Sequence, residues 1–535
     1  MYIPSDLSFC PCISHVGGCL VFVSFTLYTN ILEMICRPIA AQRRWIKTVP
    51  LFVDNEFKES SSKRIAARVT NPVSLQVLGN TPQMDPTELD TVAERAQSAF
   101  NAWRDTPVSV RTRHVVRFGE LVRQNHDALA QIVSEELGKT IDDAKASVFR
   151  GLEVVEHAYS TPSLIMGESL QTVSRNMDTY SFREPLGVVA GICPFNFPAM
   201  IPMWMFPLAA ACGNTFILKP SEKVPLTCVR LMELVVEAGF PPGVINMVHG
   251  GKETVDWICD DPRIKAVSFV GGNQAGEYIH QRATNNNKRV QANLGAKNHC
   301  IVLPDADKED ALNAVVNAFL GSSGQRCMAL SVIIFVGESQ AWITDLVEKA
   351  KKFKPGVDYG ALITKESKDR IESIISKVES QGGDILLDGR NPSGVSGNFL
   401  GPTVIDKAHP GMDAYDSEMF GPAAVCMRVD SLDEAVNVIN SNKYGNGASI
   451  FTSNGSNARF FQANCNVGQL GINVPIPVAL PMFSFTGWNA SMRGDVYFNG
   501  KQGVNFYTRL KTVTARWNAD AKYQTTLSGA FPVMK

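Results

Sequence analysis

The sequence predicts an α/β protein in which two regions each form a parallel sheet. From Gly187 onward, short apolar runs alternate with helical stretches, and a second alternating region runs from about His299 to Phe485. Strand–helix alternation at this spacing is typical of βαβ units, whose strands lie parallel in one sheet. The chain has 535 residues, of which 45% are hydrophobic and 19% charged, so it is long enough to form more than one core.

The first predicted elements are helices between residues 86 and 160. Apolar residues recur there at helical spacing, first at Ala93, Ala96, Phe100 and Trp103, then at Val115, Phe118, Leu121 and Val122. Buried strands are predicted next, with a helix at Thr227–Ala238 among them, at Gly187–Ile192, Asn214–Lys219, Val244–Val248 and Lys265–Val270. Near the end, Gly503–Thr514 alternates apolar and polar residues, which predicts an edge strand that pairs with a strand near residues 173–186.

Composition argues against several classes of partner. The formal net charge of -1 gives no global attraction to nucleic acid or to an anionic membrane, so neither is expected as a partner. The 12 cysteines are scattered, with no CxxC pair and no histidine cluster at zinc-ligand spacing. We therefore expect no metal site, no disulfide framework and a reducing compartment.

Residues 1–47 are expected to form a leader outside the folded protein. The apolar run Val16–Tyr28 is shorter than the about 20 residues of a transmembrane helix, and the basic flank of a secretory signal is missing before Arg37. From Met34, an alternative start of the protein, the chain is basic and free of acids as far as Leu51, as mitochondrial transit peptides are. The alternative is a basic leader that carries no address. Residues 519–535 are expected to be a polar tail.

A candidate nucleophile stands in the segment GSSGQRCMA, Gly321–Ala329. Glycine and small residues let the backbone approach a substrate closely, and a thiolate at Cys327 could attack an aldehyde carbonyl. The thiohemiacetal formed in this way could release hydride to a nicotinamide ring. A lone cysteine is more often a buried apolar side chain, so this segment alone leaves both interpretations open.

Three loops that follow predicted strands carry residue types suited to ligands. Asn196, in the segment CPFNFP, could donate its amide to a developing oxyanion, or it could form an Asn turn. After the next strand, Lys219 and Glu222 lie where a carboxylate can bind ribose hydroxyls, although an ordinary solvated loop is the alternative. The segment Ser268–Gly276 ends a strand and opens a helix, so its backbone N–H groups suit a pyrophosphate.

Together these segments resemble the aldehyde dehydrogenase superfamily over about residues 49–515. The matching motifs, in chain order, are PFNFP, GNTFILKPSE, FVGG, GQRC, EMFGP at Glu418–Pro422 and YGNGASIF at Tyr444–Phe451. The resemblance implies that Cys327 is the nucleophile and that the Asn196 amide and the Cys327 backbone N–H form the oxyanion hole. No metal takes part in this chemistry.

The same resemblance implies that NAD is the cofactor. Lys219 and Glu222 would hold the adenosine ribose, and Glu418 and Phe420 would position the nicotinamide half. Gly272 stands where relatives often have serine, which removes a hydroxyl but leaves the backbone donors. The full set of implied cofactor-binding residues is Cys193, Phe195, Lys219, Glu222, Lys223, Gly272, Glu418 and Phe420.

One departure from the superfamily pattern bears on the acyl acceptor. Relatives usually read ELGGK where this chain reads NLGAK, Asn293–Lys297, and the glutamate activates water in hydrolytic members. Asn293 cannot accept a proton at neutral pH, whereas a thiol such as coenzyme A, with a pKa of ~8.5, needs less help. With GQRCMA and VPIPVALPMFSF, Val474–Phe485, this asparagine resembles the coenzyme A-acylating subfamily of methylmalonate-semialdehyde dehydrogenases.

The subfamily resemblance implies a specific reaction. Methylmalonate and malonate semialdehydes would be oxidised to propionyl-CoA and acetyl-CoA with loss of carbon dioxide, in valine and pyrimidine catabolism in the mitochondrial matrix. The alternatives are a hydrolytic aldehyde dehydrogenase, an inactive copy in which Asn293 has drifted, and a non-catalytic structural protein on the same fold. Arg150, in FRGLEVVEHA, lies where relatives place substrate-facing residues, and it would pair with the substrate carboxylate unless it is a surface arginine.

The resemblance also implies how the chain is divided. A Rossmann-like NAD-binding domain would take residues 48–172 and 187–296, and an α/β catalytic domain would take residues 297–485. A small β element, residues 173–186 and 486–518, would join subunits into a homo-oligomer, a dimer or a tetramer.

Overall fold

The computed structural model describes residues 48–517, so the predicted leader and the predicted tail at 519–535 lie outside the described residues. Strands of this part of the chain, numbered in chain order, are β1 Leu51–Val53, β2 Glu56–Lys58, β3 Ile65–Thr70, β4 Val77–Pro82, β5 Ser169–Ser174, β6 Met177–Pro185, β7 Val188–Ile192, β8 Thr215–Lys219, β9 Ile245–Met247, β10 Ile264–Val270, β11 Arg289–Asn293, β12 Asn298–Val302, β13 Leu330–Val336, β14 Asp384–Leu387, β15 Thr403–Asp406, β16 Ala423–Val429, β17 Tyr444–Gly445, β18 Gly447–Phe451, β19 Gln469–Ile472, β20 Trp488–Asn489, β21 Met492–Arg493 and β22 Thr508–Arg516.

The α-helices of residues 48–517, also numbered in chain order, are α1 Pro86–Trp103, α2 Val108–Gln124, α3 His126–Leu137, α4 Ile141–His157, α5 Thr161–Leu164, α6 Met200–Ala211, α7 Leu226–Glu237, α8 Lys252–Asp260, α9 Asn273–Asn285, α10 Lys308–Leu320, α11 Ile343–Ala350, α12 Lys365–Ile375, α13 Asp413–Asp416, α14 Leu432–Ser441, α15 Gly455–Asn464 and α16 Gly500–Tyr507. None of these helices is long and apolar enough to cross a membrane.

The amino-terminal helices form as their sequence pattern predicts. Helix α1 begins with Pro86, and the Glu88 carboxylate accepts the backbone N–H of Asp85 at 3.0 Å, which satisfies a free donor at the helix start. Helix α3 ends at Gly138, whose left-handed φ of 74° suits glycine, and Thr140 caps the start of α4 through the backbone N–H of Asp143. The turn between α3 and α4 is therefore fixed at both ends.

The first sheet has eight strands in the order β2-β1-β9-β8-β7-β10-β11-β21. Its five central strands are parallel, and the outer pairs with β1, β2 and β21 are antiparallel. The predicted strands β7, β8, β9 and β10 are confirmed here. The chain order reverses at β7, with β8 on one side and β10 on the other, and ligands of such sheets bind in the crevice outside the carboxyl ends at this point.

The second sheet has seven strands in the order β14-β15-β16-β13-β12-β18-β19. Every pair of neighbouring strands in this sheet is parallel except β14 and β15, which are antiparallel. The second predicted parallel region is thus confirmed. Strand β12 lies between β13 and β18, so the chain order reverses here as well. The predicted nucleophile, Cys327, comes just before β13.

The predicted edge strand Gly503–Thr514 is a strand only in its second half. Strand β22 pairs with β6 as predicted, but Gly503–Tyr507, predicted as strand, belongs to helix α16. A side chain on Gly503 would come within 2.7 Å of Leu208 on α6, so glycine permits the two helices to pack closely. Both Phe506 and Tyr507 are buried, which a strand with one solvent face would not allow.

Two segments also cross the predicted division of the chain. Strand β5 begins at Ser169, before the expected boundary at residue 173, and joins β6 and β22 in a three-stranded sheet. Strand β21 lies in the part assigned to oligomerisation, yet it pairs with β11 at the edge of the eight-stranded sheet. Both differences arise from hydrogen bonds between strands, β5 with β6 and β21 with β11, which the sequence pattern does not reveal.

Candidate active site

The loop that carries Cys327 is held by side chains from four other segments. Ser322 and Ser323 adopt left-handed backbone conformations with φ of 55° and 58°. The Asp143 carboxylate on α4 accepts the Ser322 backbone N–H at 2.9 Å and an Arg326 guanidinium N–H at 2.8 Å. These contacts fix the turn before the nucleophile, where a non-glycine residue with positive φ costs energy.

The backbone of Cys327 itself is held from the other side. The side-chain amides of Asn298 and Asn446 both donate to the Cys327 carbonyl, at 2.8 and 3.0 Å. Asn298 starts β12, and Asn446 directly precedes β18, the strand that pairs with β12 in the second sheet. The thiol is thereby presented from a rigid support, as nucleophilic catalysis requires.

Two cavities meet at this cysteine. The larger has a volume of about 670 Å³ and lies in the crevice of the first sheet. The smaller has a volume of about 330 Å³ and lies between α4, α6 and the segment that contains Phe485. Of the residues described, Cys327 alone borders both cavities. The thiol can thus meet one ligand from each side.

The larger cavity brings together all the residues that the sequence predicts for the cofactor. Asn196 and Cys327 line it as well, and so do the eight residues Cys193, Phe195, Lys219, Glu222, Lys223, Gly272, Glu418 and Phe420. They come from the loops after β7, β8 and β10 and from the segment before β16. The volume falls within the range of ordinary ligand pockets, about 300–1,000 Å³.

One end of this cavity has the polar groups that a ribose needs. Lys219 is buried, and its ammonium donates to the Pro220 carbonyl at 2.9 Å and lies 3.4 Å from the Glu222 carboxylate. Burial raises the pKa of Glu222, but Lys219 and Lys223 more than offset it, so the pKa lies below its usual value. An ionised carboxylate beside a buried lysine can accept hydrogen bonds from two vicinal hydroxyls.

The start of α9 forms the middle of the cavity. Gly272 immediately precedes the helix, and no side chain caps the first N–H groups of the helix. A Cβ placed on Gly272 would meet nothing within 4 Å, so the space in front of the helix is open. Free N–H groups and the helix dipole suit an anionic pyrophosphate at this position.

The far end of the cavity is formed by Glu418 and Phe420. The Glu418 carboxylate accepts the Ala296 backbone N–H at 3.2 Å, and burial raises its pKa to about 7. Phe420 has a left-handed φ of 55°, and its ring packs edge-on against Phe195 at 5.8 Å. A side chain on Gly295 would approach the Glu418 carboxylate to 2.8 Å, so only glycine leaves this carboxylate in place.

The surroundings of Cys327 favour the neutral thiol over the thiolate. Burial raises the pKa of Cys327 to about 12, Glu418 adds to the effect, and the backbone N–H groups of Cys327 and Met328 oppose it.

Asn196 is buried and donates one amide N–H to the Gln325 carbonyl at 3.0 Å. A primary amide has two N–H donors, so a second remains for an oxyanion.

Asn293 lies behind the wall of the larger cavity. It is 1% exposed at the end of β11, and neither its amide oxygen nor its nitrogen has a hydrogen-bond partner. A Cβ on Gly487 would lie 3.5 Å from the amide oxygens of both Asn293 and Asn446. Asn446 donates a hydrogen bond to the Cys327 carbonyl, so Asn293 lies close to a residue that holds the nucleophile. Asn293 itself lines neither cavity.

The smaller cavity combines an apolar wall with several charges. Met200, Trp204 and Phe485 are buried residues of the wall. Arg150 lines the cavity, with its side chain 51% exposed and its guanidinium 2.9 Å from Glu153. It is therefore a residue of the cavity mouth.

Sequence reasoning missed two cations of this cavity, Arg326 and Lys139. For Arg326, the available signal was its position next to Cys327 in the sequence. For Lys139 the signal was weak, because a Gly-Lys pair after a helix also fits an exposed C-terminal cap.

Comparison with known proteins decides the family. The model of the aldehyde dehydrogenase family matches residues 57–513. The chain belongs to the aldehyde dehydrogenase family. Among its relatives, the methylmalonate-semialdehyde/malonate-semialdehyde dehydrogenase [acylating], mitochondrial, of Homo sapiens is 49% identical over 498 residues, which cover 91% of this chain and 92% of the human protein.

Solved structures agree with this assignment and confirm the predicted fold class. The crystal structure of methylmalonate-semialdehyde dehydrogenase (DddC) from Oceanimonas doudoroffii has a TM-score of 0.87 and 41% identity, and covers 89% of this chain and 100% of its own. A protein of Sinorhizobium meliloti, solved in complex with NAD, has the same TM-score of 0.87 and 41% identity, and covers 90% of this chain and 100% of its own. As an aldehyde dehydrogenase, this protein acts on a small-molecule aldehyde.

Proposed function

We propose that this aldehyde dehydrogenase is a methylmalonate-semialdehyde/malonate-semialdehyde dehydrogenase that uses NAD and coenzyme A. Its products are propionyl-CoA or acetyl-CoA, carbon dioxide and NADH. One observation carries the proposal: Cys327 stands between a cavity suited to a dinucleotide and a smaller cavity that bears cations. The human relative of 49% identity, whose name includes both semialdehydes and the word acylating, supports it.

The residues of the larger cavity suit NAD. Lys219 and Glu222 would bind the adenosine ribose, the start of α9 at Gly272 the pyrophosphate, and Glu418 and Phe420 the nicotinamide half. Cys193, Phe195 and Lys223 also line the cavity. When bound, NAD supplies the hydride acceptor and a positive charge. The negative charge of Glu222 disfavours a 2′-phosphate, so the site favours NAD over NADP.

The chain's own groups perform the covalent steps. The Cys327 thiol first releases its proton to the solvent of the larger cavity. Its sulfur then attacks the aldehyde carbon, and the Asn196 amide and the Cys327 backbone N–H stabilise the oxyanion. Hydride loss gives a thioester on Cys327. A carboxylate beta to that thioester can leave as carbon dioxide, because the electron pair of the broken bond enters an enolate that the thioester stabilises. After protonation of the enolate, the thiol of coenzyme A takes the acyl group.

A turnover assay tests the function as a whole. We expect NADH formation with malonate and methylmalonate semialdehydes to be sustained only when coenzyme A is present, and acyl-CoA and carbon dioxide to appear in equal amounts. Mass spectrometry identifies the acyl-CoA product. Formation of the free acid at the same rate without coenzyme A would point to a hydrolytic enzyme, and no turnover of any aldehyde would point to a structural protein.

We predict that Arg150→Ala weakens binding of the substrate carboxylate. Arg150 lines the smaller cavity, but its guanidinium is half-exposed and paired with Glu153, so solvent screens the contact. The KM for methylmalonate semialdehyde should rise several-fold, less than the more than tenfold rise that ~1.5–3 kcal/mol of a buried charged hydrogen bond would give. The KM for propanal serves as the control, and equal changes for both substrates would leave Arg150 without this role.

We infer that the protein is mitochondrial and acts in the matrix, as the word mitochondrial in the name of the human relative suggests. The acid-free basic stretch ends near Leu51, so we predict a mature amino terminus between about residues 38 and 50. Amino-terminal sequencing of protein purified from its native source measures this directly. A terminus at Met1, or at any residue before Met34, would contradict the prediction.

The exposed three-stranded sheet supports a homo-oligomer. Several large apolar side chains of this region are exposed to solvent in the single chain: Leu170, Phe182, Leu510 and Trp517. Strands β5 and β22 form its two edges. An exposed edge strand with apolar side chains is a ready surface for pairing with another chain, so we propose that copies of this protein associate through this sheet, as a dimer or a tetramer.

A further inference from the structure

Lys297 is a buried lysine beside the larger cavity that the proposed mechanism does not use. It ends the NLGAK segment and directly precedes β12, where the chain passes from the first sheet to the second. Its side chain is buried, and its ammonium donates to the backbone carbonyls of Ala414 and Ser417, at 2.7 and 2.8 Å. Both acceptors lie just before Glu418 in the chain. The lysine therefore anchors the segment that presents the Glu418 carboxylate to the cavity.

The neighbours of Lys297 in the chain contact Glu418 and Cys327 directly. On one side, the Ala296 backbone N–H donates to the Glu418 carboxylate at 3.2 Å. On the other side, the Asn298 side-chain amide donates to the Cys327 carbonyl at 2.8 Å. Three consecutive residues thus hold the carboxylate, the backbone before it and the backbone of the nucleophile. A change at Lys297 should therefore alter how Glu418 is placed relative to Cys327.

The segment held by Lys297 continues into a strained turn. Phe420 has a left-handed φ of 55°, which costs energy for a residue other than glycine and persists only where the surroundings hold it. Arg370 on α12 donates to the carbonyls of Glu418 and Met419. Arg370 is exposed and Lys297 is buried, so one cation holds the segment from the solvent side and the other from the interior.

The charges of Lys297 and Glu418 also depend on each other. Burial lowers the pKa of Lys297, with Glu418 and Asp416 opposing the shift. Arg370 adds to the lowering. Burial raises the pKa of Glu418, and the Ala296 N–H, followed by the two cations, opposes that shift. Lys297 therefore favours the ionised form of Glu418.

The other titratable groups that face this pair do not replace the charge of Lys297. Glu418 acts on the pKa of Cys327 and of Tyr444, both of which burial raises. Lys297 acts on the pKa of His299, which burial lowers to about 3. The surroundings of all three groups thus favour their neutral forms.

We propose that Lys297 is a positioning residue for hydride transfer, which holds residues 414–420 in place and balances the charge of Glu418. The inference rests on the proposed function, in which Glu418 positions the nicotinamide half of NAD. An ionised carboxylate accepts hydrogen bonds from hydroxyl groups more strongly than a protonated one. Loss of Lys297 should therefore slow hydride transfer and leave the attack of Cys327 on the aldehyde largely unchanged.

The test measures hydride transfer in the burst of NADH that forms without coenzyme A. Stopped-flow absorbance gives the burst rate for propanal and for propanal deuterated at the aldehyde carbon. We expect K297M to lower the burst rate by about 10- to 100-fold, the cost of a misplacement of ~1 Å, and to show a larger deuterium isotope effect than the wild type. K297R keeps the charge and the donors, so it should restore most of the rate.

Lys288 provides a matched control. It is buried, directly precedes β11 and donates to the carbonyls of Asp261 and Ile264, so it resembles Lys297 in position and in contacts. It lines neither cavity. K288M should therefore lower the Tm about as much as K297M does and keep the wild-type burst rate. An unchanged burst rate in K297M, or an equal fall in both variants, would overturn the proposal, because Lys297 would then have a structural role only.

K297Q separates the charge from the hydrogen bonds and covers the case in which K297M does not fold. Glutamine keeps an N–H donor in the buried site but has no charge, so the pKa of Glu418 should rise. We expect the pH at which the burst rate reaches half its plateau to move up by about one unit in K297Q and to stay unchanged in K297R. An unshifted profile in K297Q would overturn the proposal. A wild type that gives no burst with propanal or with methylmalonate semialdehyde would instead refute the proposed function.

Discussion

Cys327→Ala is expected to abolish aldehyde oxidation, with a fall in kcat on the order of 10⁴-fold or more, while NAD still binds. The sulfur is the atom that forms the covalent bond, and Cys327 is the described residue that borders both cavities. The cofactor residues lie elsewhere in the larger cavity, so the Kd for NAD should change by no more than about twofold. NADH formation and NAD titration by fluorescence provide the two measurements.

A second cysteine variant serves as the control. Cys465 is buried in the core of the second sheet, lines neither cavity, and has a pKa that burial raises to about 12. Cys465→Ala should therefore remain active, apart from a modest loss of stability. Substantial turnover by Cys327→Ala would show that the nucleophile has been assigned to the wrong residue, and loss of NAD binding by that variant would show that its effect is not confined to chemistry.

Much of the fold and of the larger cavity is predictable from the sequence, for a local reason. Strands β7, β8 and β10 are short apolar runs that end in polar or glycine-rich loops, and parallel strands bring such loops to one edge of a sheet. Asn196, Glu222 and Gly272 can therefore be grouped from the pattern of strands and loops alone. The resemblance to a family added Glu418, whose segment is distant in sequence.

The parts that could not be predicted depend on contacts between distant segments. Gly503–Tyr507 has the alternation typical of a strand, but packing against Leu208 selects a helix. Asp143 on α4 supports the turn at Ser322, although the two residues are far apart in sequence. Asp143 acts on the pKa of Lys139 but pairs with Arg326, and no sequence pattern indicates which partner a carboxylate takes.

A second large kinetic effect is expected when coenzyme A is withheld. A rapid burst of NADH, equal to the concentration of active sites, should precede a steady rate lower by about 100-fold, because the acyl group then waits on Cys327 for water. Stopped-flow absorbance at 340 nm measures both phases. Coenzyme A should raise the steady rate and leave the burst amplitude unchanged. Desulfo-coenzyme A, which lacks the thiol, is the matched control and should change neither.

The physical reason is the absence of a suitable base at Asn293. An amide does not accept a proton at neutral pH, and this one is 1% exposed and lines neither cavity. Glu418 is the carboxylate whose charge is felt by Cys327, and its pKa of about 7 would allow it to act as a base. Its carboxylate is engaged by the Ala296 N–H, however, so we expect it to activate water poorly.

Asn293→Glu should raise the steady rate without coenzyme A only slightly. No neighbouring group donates a hydrogen bond to the Asn293 side chain. A glutamate side chain buried at this position should therefore have a raised pKa and remain largely protonated. A misplacement of ~1 Å can also cost ~100-fold in rate, and the surrounding side chains do not position this base. The burst of the wild type is therefore the sharper test. Fast, linear NADH production without coenzyme A and without a burst would mean that water is an adequate acceptor, and the acylating assignment would then fail.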